Sequence, residues 1–342
     1  MRIAQVSPLY ERVPPKLYGG TERVIHYLTE ELITLGHETT LFASGDSITK
    51  GKLVSVIPES LRLQKHKKDP MVYHILMLEK VFQMAESFDI IHYHIDFFHF
   101  PFSKRSKTKH LTTLHGRLDL PDLTVLYREF DRIPVVSISK AQRSFLPWIH
   151  WVGTVYHGIP ADLYPFYPEK GNYLAFVGRI SPEKGIERAI EIAKRVGMDL
   201  KIAAKVDEVD KQYFLEVILP LFKKAPVEFI GEIGEEEKKV FLGNASALLF
   251  PVNWPEPFGL VMIEAMACGT PVIGWRNGSV PEIVVDGQTG YIIHSVNEGV
   301  KKIMDIDRID RKECRKHVLN HFTARKMAQS YLSIYNNLLY GE

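Results

Sequence analysis

The segment with the most distinctive chemistry runs from Glu256 to Pro271 and reads EPFGLVMIEAMACGTP. The pattern predicts a helix starting near Gly259, and the amides at its start would be free to bind an anion such as phosphate. Glu256, in the loop before the helix, is placed to hydrogen-bond sugar hydroxyls, and Glu264 suits a pair of vicinal hydroxyls such as a ribose diol. In the simpler alternative, Glu256 complements the helix dipole and Glu264 lies on an exposed face.

A pair of cations, Arg179 and Lys184, follows the strand predicted at 173–177. They flank a Ser-Pro turn, and a helix is predicted to begin near Gly185. Arginine supplies a planar fork and lysine a mobile point charge, and together they suit a diphosphate. Alternatively, both are surface cations, one of them paired with Glu183 or Glu187.

Two weaker signals lie in the first half of the chain. Gly19 and Gly20 follow the first predicted strand and precede a helix, so they permit a backbone turn tight against a ligand, or form a simple turn. His115 stands at the end of an apolar strand, where it could hydrogen-bond a transferred sugar. A structural histidine with satisfied hydrogen bonds is the alternative.

Neither a metal site nor a disulfide framework is expected. His92 and His94 would share one face of a strand, but no third or fourth ligand is apparent. Cys268 and Cys314 are the only cysteines and do not form a C-x-x-C pair, which favours two neutral thiols in a reducing compartment.

Composition indicates a globular protein without a nucleic-acid partner. The 342 residues carry a net charge of +2, too little for the strong basic patch that nucleic-acid binding requires. Basic clusters at 62–68 and 104–110 favour solvated loops, with weak peripheral membrane contact as the alternative. No apolar run suggests a signal peptide or membrane span, so we expect a cytoplasmic protein.

Strands alternating with helices predict two doubly wound α/β domains with parallel sheets. In such sheets ligands bind beyond the carboxyl ends of the strands, so the cleft between the domains is the expected site. Strands are predicted at 3–7, 39–43, 90–94, 110–114, 135–138, 154–156, 173–177, 200–204, 227–230, 247–250, 271–274 and 290–293. The predicted parts are an N-terminal acceptor domain (1–160), a linker (161–171), a C-terminal donor domain (172–324), and a last helix (325–342) that returns to the first domain.

These motifs resemble those of the retaining glycosyltransferases of family 4, which have the GT-B fold. The resemblance is most specific in 178–185 and 256–271 and extends to about the final helix. The segments 4–10, 18–22 and 154–160 are similar to a bacterial subgroup that includes the avilamycin-pathway glycosyltransferase. His157 departs from the asparagine that the family often has there.

The resemblance implies a role for each matching residue. Catalytic roles fall on His115 beside the anomeric carbon, on Arg179 and Lys184 at the diphosphate, and on Glu256 at the donor sugar. The remaining donor-binding positions are Gly19, Gly20, Lys205, Ile230, Gly231, Ile233, Phe258, Gly259, Leu260, Val261 and Glu264.

The implied reaction is transfer of a sugar, with UDP-hexose favoured as donor, to an acceptor hydroxyl with retention of configuration. Fixed cations and amides would stabilise the leaving diphosphate without a metal or cofactor. The acceptor, a small molecule or a glycan, and the oligomeric state stay open.

Four other functions are alternatives to sugar transfer. A nucleotide-sugar epimerase and a sugar phosphorylase could share the fold, and the phosphorylase would need a pyridoxal cofactor. A dinucleotide-binding oxidoreductase would carry a Gly-rich fingerprint after the first strand, which is missing here. A non-catalytic, hinged sugar-binding protein would not need the Arg179 and Lys184 pair.

Overall fold

The computed structural model describes residues 1–64 and 69–341 and divides them into two compact units. The first unit comprises Met1–Gly158 together with the chain from Ala324 onward, and the second comprises Ile159–Thr323. The segment 161–171, expected as a linker, therefore lies in the second unit, where Tyr164 is fully buried.

The first unit contains a seven-stranded sheet in which every pairing is parallel. Its order is β3-β2-β1-β4-β5-β6-β7, so the order reverses between β1 and β4. Ligands of doubly wound sheets bind beside such a switch point. The strands are Arg2–Val6 (β1), Glu38–Phe42 (β2), Lys52–Val54 (β3), Ile90–Tyr93 (β4), Lys109–Thr113 (β5), Val135–Ser137 (β6) and Trp151–Thr154 (β7).

Helices connect these strands because parallel neighbours need a crossover. Local sequence sets where they begin: the Asp69 side chain caps the second helix, whose first residue is Pro70, and Ser139 caps a later one. The helices of this unit are Gly20–Thr34 (α1), Pro70–Gln83 (α2), Phe100–Ser103 (α3), Pro121–Glu129 (α4), Lys140–Arg143 (α5) and the C-terminal helix Ala324–Tyr340 (α14). The C-terminal helix packs on α1 and buries Tyr331 and Tyr335.

The second unit contains a six-stranded parallel sheet of order β10-β9-β8-β11-β12-β13. Its switch point lies between β8 and β11. The strands are Tyr173–Arg179 (β8), Asp199–Lys205 (β9), Val227–Gly231 (β10), Ala245–Phe250 (β11), Val272–Trp275 (β12) and Gly290–Ile293 (β13). We expect a site at the carboxyl ends of β8 and β11 on this topology alone.

The helices of the second unit pack on its sheet: Ile186–Val196 contacts β8 and β9, and Leu260–Ala267 contacts β11 and β12. Gly197, in the left-handed conformation, ends α6 after a basic last turn, and the Ser295 side chain caps α12. The helices are Ile186–Val196 (α6), Lys211–Tyr213 (α7), Leu219–Phe222 (α8), Glu235–Gly243 (α9), Leu260–Ala267 (α10), Val280–Ile283 (α11), Val296–Met304 (α12) and Arg311–His321 (α13).

Among the described residues, the helices are all too short or too polar to cross a lipid bilayer.

Candidate active site

Lys184 and Glu256 meet at the switch point of the second sheet. Lys184 follows β8 and Glu256 follows β11, and Lys184 Nζ lies 2.6 Å from Glu256 Oε2. Trp254 Nε1 donates to the same carboxylate oxygen at 2.9 Å, and the ammonium lies 5.1 Å from the Trp254 ring centroid. The motifs that the sequence placed in separate segments therefore share one ion pair.

Backbone contacts hold the two loops together around this pair. The amide of Asn253 donates to the carbonyl of Glu183 at 2.7 Å. Gly185 has a φ of 66°, and a Cβ there would lie 2.1 Å from the carbonyl oxygen of Pro251. Because only glycine fits this approach, substitution at residue 185 would push the Lys184 loop away from the Glu256 loop.

Arg179 lies at the end of β8 among three carboxylates. It bonds Glu183, and its Nη1 and Nε lie 3.7 Å and 3.4 Å from the carboxylates of Asp207 and Asp210. Lys205, its register partner on β9, lies 2.6 Å from Asp207. The predicted alternative pairing with Glu183 is therefore present, and a bound diphosphate would have to share the guanidinium with these carboxylates or replace them.

Helix α10 starts beside this cluster with free amides. Gly259, its N-cap, has a φ of 81°, and a Cβ there would lie 2.7 Å from the Phe250 ring. No hydrogen bond in the part of the chain that the structure describes uses the amides of Gly259, Leu260 or Val261, and these three residues are partly exposed. These amides form the positive end of the helix and are available to an anion. The neighbouring Phe258 side chain is buried against Phe322 and is not exposed at this surface.

Glu264 is buried on α10 and forms an ion pair that the sequence analysis missed. Lys238 Nζ lies 2.7 Å from Glu264 Oε1 and 3.4 Å from Glu235 Oε2. The exposed position that the simpler alternative assigned to Glu264 is absent, since the residue is 3% exposed. Burial, followed by the charge of Glu264, raises the pKa of nearby Cys268 to about 12, so that thiol stays neutral.

The segment 230–233 lies at the end of the edge strand β10. Gly231 has a φ of 89°, and Ile230 is exposed. One strand, β9, lies between β10 and β8, which carries Arg179. Ile233 follows in the loop before α9 and is partly exposed.

His115 belongs to a hydrogen-bonded group in the first unit. Its Nε2 lies 2.8 Å from Nδ1 of His94, and its ring stacks on His157 at a centroid distance of 5.3 Å. Burial lowers the pKa of His115 to about 3, which keeps the ring neutral near pH 7. Nε2 of His115 has a hydrogen-bond partner, as expected for the alternative of a structural histidine.

Asp96 is a polar residue beside His115 that the sequence analysis did not single out. Its φ of 48° is uncommon for a residue with a side chain. Burial raises its pKa to about 6, and a hydrogen bond from the His115 amide opposes that rise. Only the position of Asp96 after the predicted strand at 90–94 could have marked it.

The glycine turn of the first unit lies at the start of α1. Gly19 is the N-cap with a φ of 149°, and a Cβ there would meet Pro15 at 2.8 Å. Gly20 is the first helical residue and is exposed. Glu22, in the first turn, is buried, and burial raises its pKa to about 7.

His92 and His94 use their ring nitrogens for protein hydrogen bonds. His92 contacts Tyr335 and Thr113, each at 2.7 Å, and His94 contacts Gln5 at 2.7 Å besides His115. Within residues 1–64 and 69–341, no cluster of three or more His, Cys, Asp or Glu residues has metal-binding geometry.

Each of the two basic clusters contains a cation that pairs with a carboxylate. Residues 65–68 of the first cluster lie outside the described residues, and Arg62 pairs with Glu11 at 2.6 Å. In the second cluster, Lys104 pairs with Glu129 at 2.8 Å on the surface. Such exposed pairs contribute little to stability.

Fold and site together define the class of the protein. Two parallel-sheet α/β units of this order match solved GT-B glycosyltransferases. A glycosyltransferase involved in avilamycin A biosynthesis matches with a TM-score of 0.75 and 24% identity, covering 100% of this chain and 98% of that one. Anabaena HepE in complex with UDP and glucose matches with a TM-score of 0.74 and 18% identity, covering 97% and 98%. The protein thus has the GT-B fold.

Sequence comparison narrows the class to a family. Residues 165–317 match the family described as Glycosyl transferases group 1, and residues 18–157 match Glycosyltransferase Family 4. A glycogen synthase of Mycobacterium tuberculosis is 27% identical over 361 aligned positions, which cover 85% of this chain and 81% of that protein. The two matches together cover most of the chain, and the protein is a glycosyltransferase, as its motifs predicted.

Proposed function

We propose that the protein transfers a hexose from a UDP-sugar to an acceptor hydroxyl with retention of configuration. The observation that carries this proposal is the meeting of Lys184 with Glu256 beside the free amides of α10. At this switch point, the cation and the helix-start amides can bind a phosphate, and the carboxylate can bind a sugar hydroxyl. The Anabaena relative that was solved with UDP and glucose supports this donor class.

In this proposal the diphosphate binds Lys184, Arg179 and the amides of residues 259–261. When the sugar departs, negative charge grows on the β-phosphate, and groups that are already in place stabilise it without reorganising. Lys184 then exchanges part of its bond with Glu256 for the phosphate, which frees a carboxylate oxygen for a sugar hydroxyl. The two cations supply the positive charge that the leaving diphosphate needs.

The remaining donor contacts follow from the same placement. Glu264 would bind the ribose hydroxyls once Lys238 shares its carboxylate, and Lys205 would contribute a further positive charge beside Arg179. The backbone of residues 230–233 would flank the base. In the first unit, His115 would contact the transferred sugar, and Gly19 and Gly20 would approach the phosphates.

Retention is proposed to occur by attack on the same face from which the diphosphate leaves. The acceptor hydroxyl would pass its proton to the departing phosphate oxygen, and the new glycosidic bond would form as the sugar–phosphate bond breaks. Glu256 lies beside Lys184 as its ion-pair partner, so we assign it to sugar binding and not to a covalent intermediate.

A donor screen tests the proposal. The purified protein should show a higher melting temperature with UDP than without it, because a ligand that binds only the folded state stabilises it. With UDP-hexoses and a panel of hydroxyl acceptors, NMR should detect an α-linked product from an α-linked donor. An epimerised nucleotide-sugar formed without acceptor, or a β-linked product, would contradict the proposal.

A further inference from the structure

A chain of hydrogen bonds in the first unit connects the C-terminal helix to His115. Gln5 Nε2 donates to the Tyr335 hydroxyl at 3.2 Å, and Gln5 Oε1 lies 2.7 Å from His94 Nε2. His94 Nδ1 lies 2.8 Å from His115 Nε2. Gln5, His94 and Tyr335 are buried, so water does not compete for these bonds.

The chemistry of the groups gives this chain a direction. An amide oxygen only accepts, so the proton of His94 must reside on Nε2, where it faces Gln5 Oε1. Burial lowers the pKa of His94 well below its usual range and that of His115 to about 3, so both rings are neutral. A neutral ring with its proton on Nε2 accepts at Nδ1. His115 must therefore donate from its own Nε2.

The hydrogen bonds at the Tyr335 end of the chain also have a defined direction. The Tyr335 hydroxyl, which accepts from Gln5, lies 2.7 Å from Nδ1 of His92 and can donate to it. His92 Nε2 then donates to Thr113 Oγ1 at 2.7 Å. Every donor in the chain meets an acceptor, so one bond cannot reverse without reversing its neighbours.

We propose that Gln5, His94 and Tyr335 are positioning residues that hold His115 in the Nε2–H tautomer. Nδ1 of His115 is then a lone-pair acceptor, and no described residue hydrogen-bonds it. That nitrogen accepts a hydrogen bond from a sugar hydroxyl. The use of this acceptor rests on the proposed sugar-binding role of His115, whereas the tautomer itself rests only on the hydrogen-bonded chain.

Nitrogen-15 NMR of the full-length protein tests the tautomer directly. Histidine is labelled with ¹⁵N, spectra are recorded near pH 7, and the signals of His115 are assigned by their loss in a His115→Asn variant. The ring should show a protonated Nε2 and an unprotonated Nδ1. A protonated Nδ1 on His115 in the wild-type protein would overturn the proposal.

Two buried tyrosines of the same helix provide a matched pair of variants. Tyr335→Phe removes the acceptor of Gln5 Nε2, so the amide can turn and donate to His94, and a second His115 tautomer should appear. Tyr331→Phe removes a buried hydroxyl that contacts Thr113 at 2.8 Å, at the end of the chain farthest from His115, and keeps the Tyr335 hydroxyl as the acceptor of Gln5 Nε2. Its His115 signals should stay as in the wild type. An unchanged tautomer in folded Tyr335→Phe would contradict the assignment of Tyr335.

Activity measurements test whether the sugar binds to Nδ1 of this tautomer. In Tyr335→Phe, kcat/KM for sugar transfer should fall about three- to ten-fold, the size of one lost hydrogen bond, while UDP affinity stays unchanged. A changed tautomer with unchanged kcat/KM would show that Nδ1 does not serve the sugar. If no donor is used by the wild type, the proposed function fails, while the NMR result still decides the tautomer.

Discussion

The polar residues of the candidate site are organised differently in the two units. In the second unit, ions pair: Lys184 with Glu256 and Lys238 with Glu264. In the first unit, neutral groups join into a directional chain that ends at His115. Ion pairs can exchange partners when a charged ligand arrives, whereas a neutral chain fixes which atom donates. The difference suggests that the second unit responds to the diphosphate and the first unit orients the sugar.

The largest effect is expected at Lys184. Lys184→Ala removes a fixed cation from the leaving diphosphate, and kcat should fall by about 10²- to 10³-fold. Lys201→Ala is the matched control, since Lys201 pairs with Glu228 at 3.0 Å away from the loop of Lys184. Initial rates of sugar transfer measure both. Equal rates in the Lys184 variant and the control would contradict the assignment of Lys184 to the leaving diphosphate.

Glu264 should affect donor affinity next. Glu264→Gln keeps the shape but loses the charge that pairs with Lys238, and UDP binding should weaken about ten-fold or more. Glu236→Gln is the control, because Glu236 is exposed and pairs with Lys239 on the same helix. Isothermal titration with UDP compares them. Unchanged affinity in Glu264→Gln would show that the carboxylate serves the fold alone.

A pair of glycine variants tests the start of α10. Gly259→Ala combines a left-handed backbone with a clash against Phe250 and should cost about 1–3 kcal/mol of unfolding free energy. Gly197→Ala has a similar φ of 68° but meets no atom within 4 Å, so it isolates the backbone cost. Urea unfolding measures both. If the two variants lose equal stability, the close approach of Phe250 does not constrain this turn.

Acid is expected to destabilise the first unit through its buried histidines. Burial lowers the pKa of His94 and His115 in the folded protein, so the unfolded chain binds more protons below its histidine pKa of about 6.5. Stability is therefore full above that pH and falls as pH drops toward about 3, by at most about 1.4 kcal/mol per pH unit for each histidine. Urea unfolding from pH 7 to pH 5 measures this slope.

A variant of His94 tests this assignment. His94→Asn should flatten the slope, because it removes one of the buried histidines whose pKa is lowered. A slope that is the same in His94→Asn and the wild type would mean that His94 titrates alike in the folded and unfolded chain.

The sequence predicted most strands because buried parallel strands form short continuous apolar runs. Two predictions were wrong. The strand at 52–54 was missed, since it is an edge strand of only three residues and shows no readable period. The last strand of the first sheet was placed at 154–156 but lies at Trp151–Thr154, where a register shift against β6 obscures the pattern.

The candidate site, too, could be predicted only in part. Lys184 and Glu256 each lie in a contiguous motif, so their presence near a strand end could be predicted, although their 2.6 Å contact could not. The chain through Gln5 and Tyr335 joins residues from opposite ends of the sequence, and no local spacing marks it. Lys238 is one of several charged residues on α9, and only the fold shows that it lies next to Glu264.

A crystal structure with UDP tests the central claim most directly. The account predicts the diphosphate within hydrogen-bond distance of Lys184 Nζ and of at least one amide of residues 259–261, with Arg179 turned toward it. A diphosphate that contacts none of these groups, while Lys184 stays bonded to Glu256 alone, would contradict it.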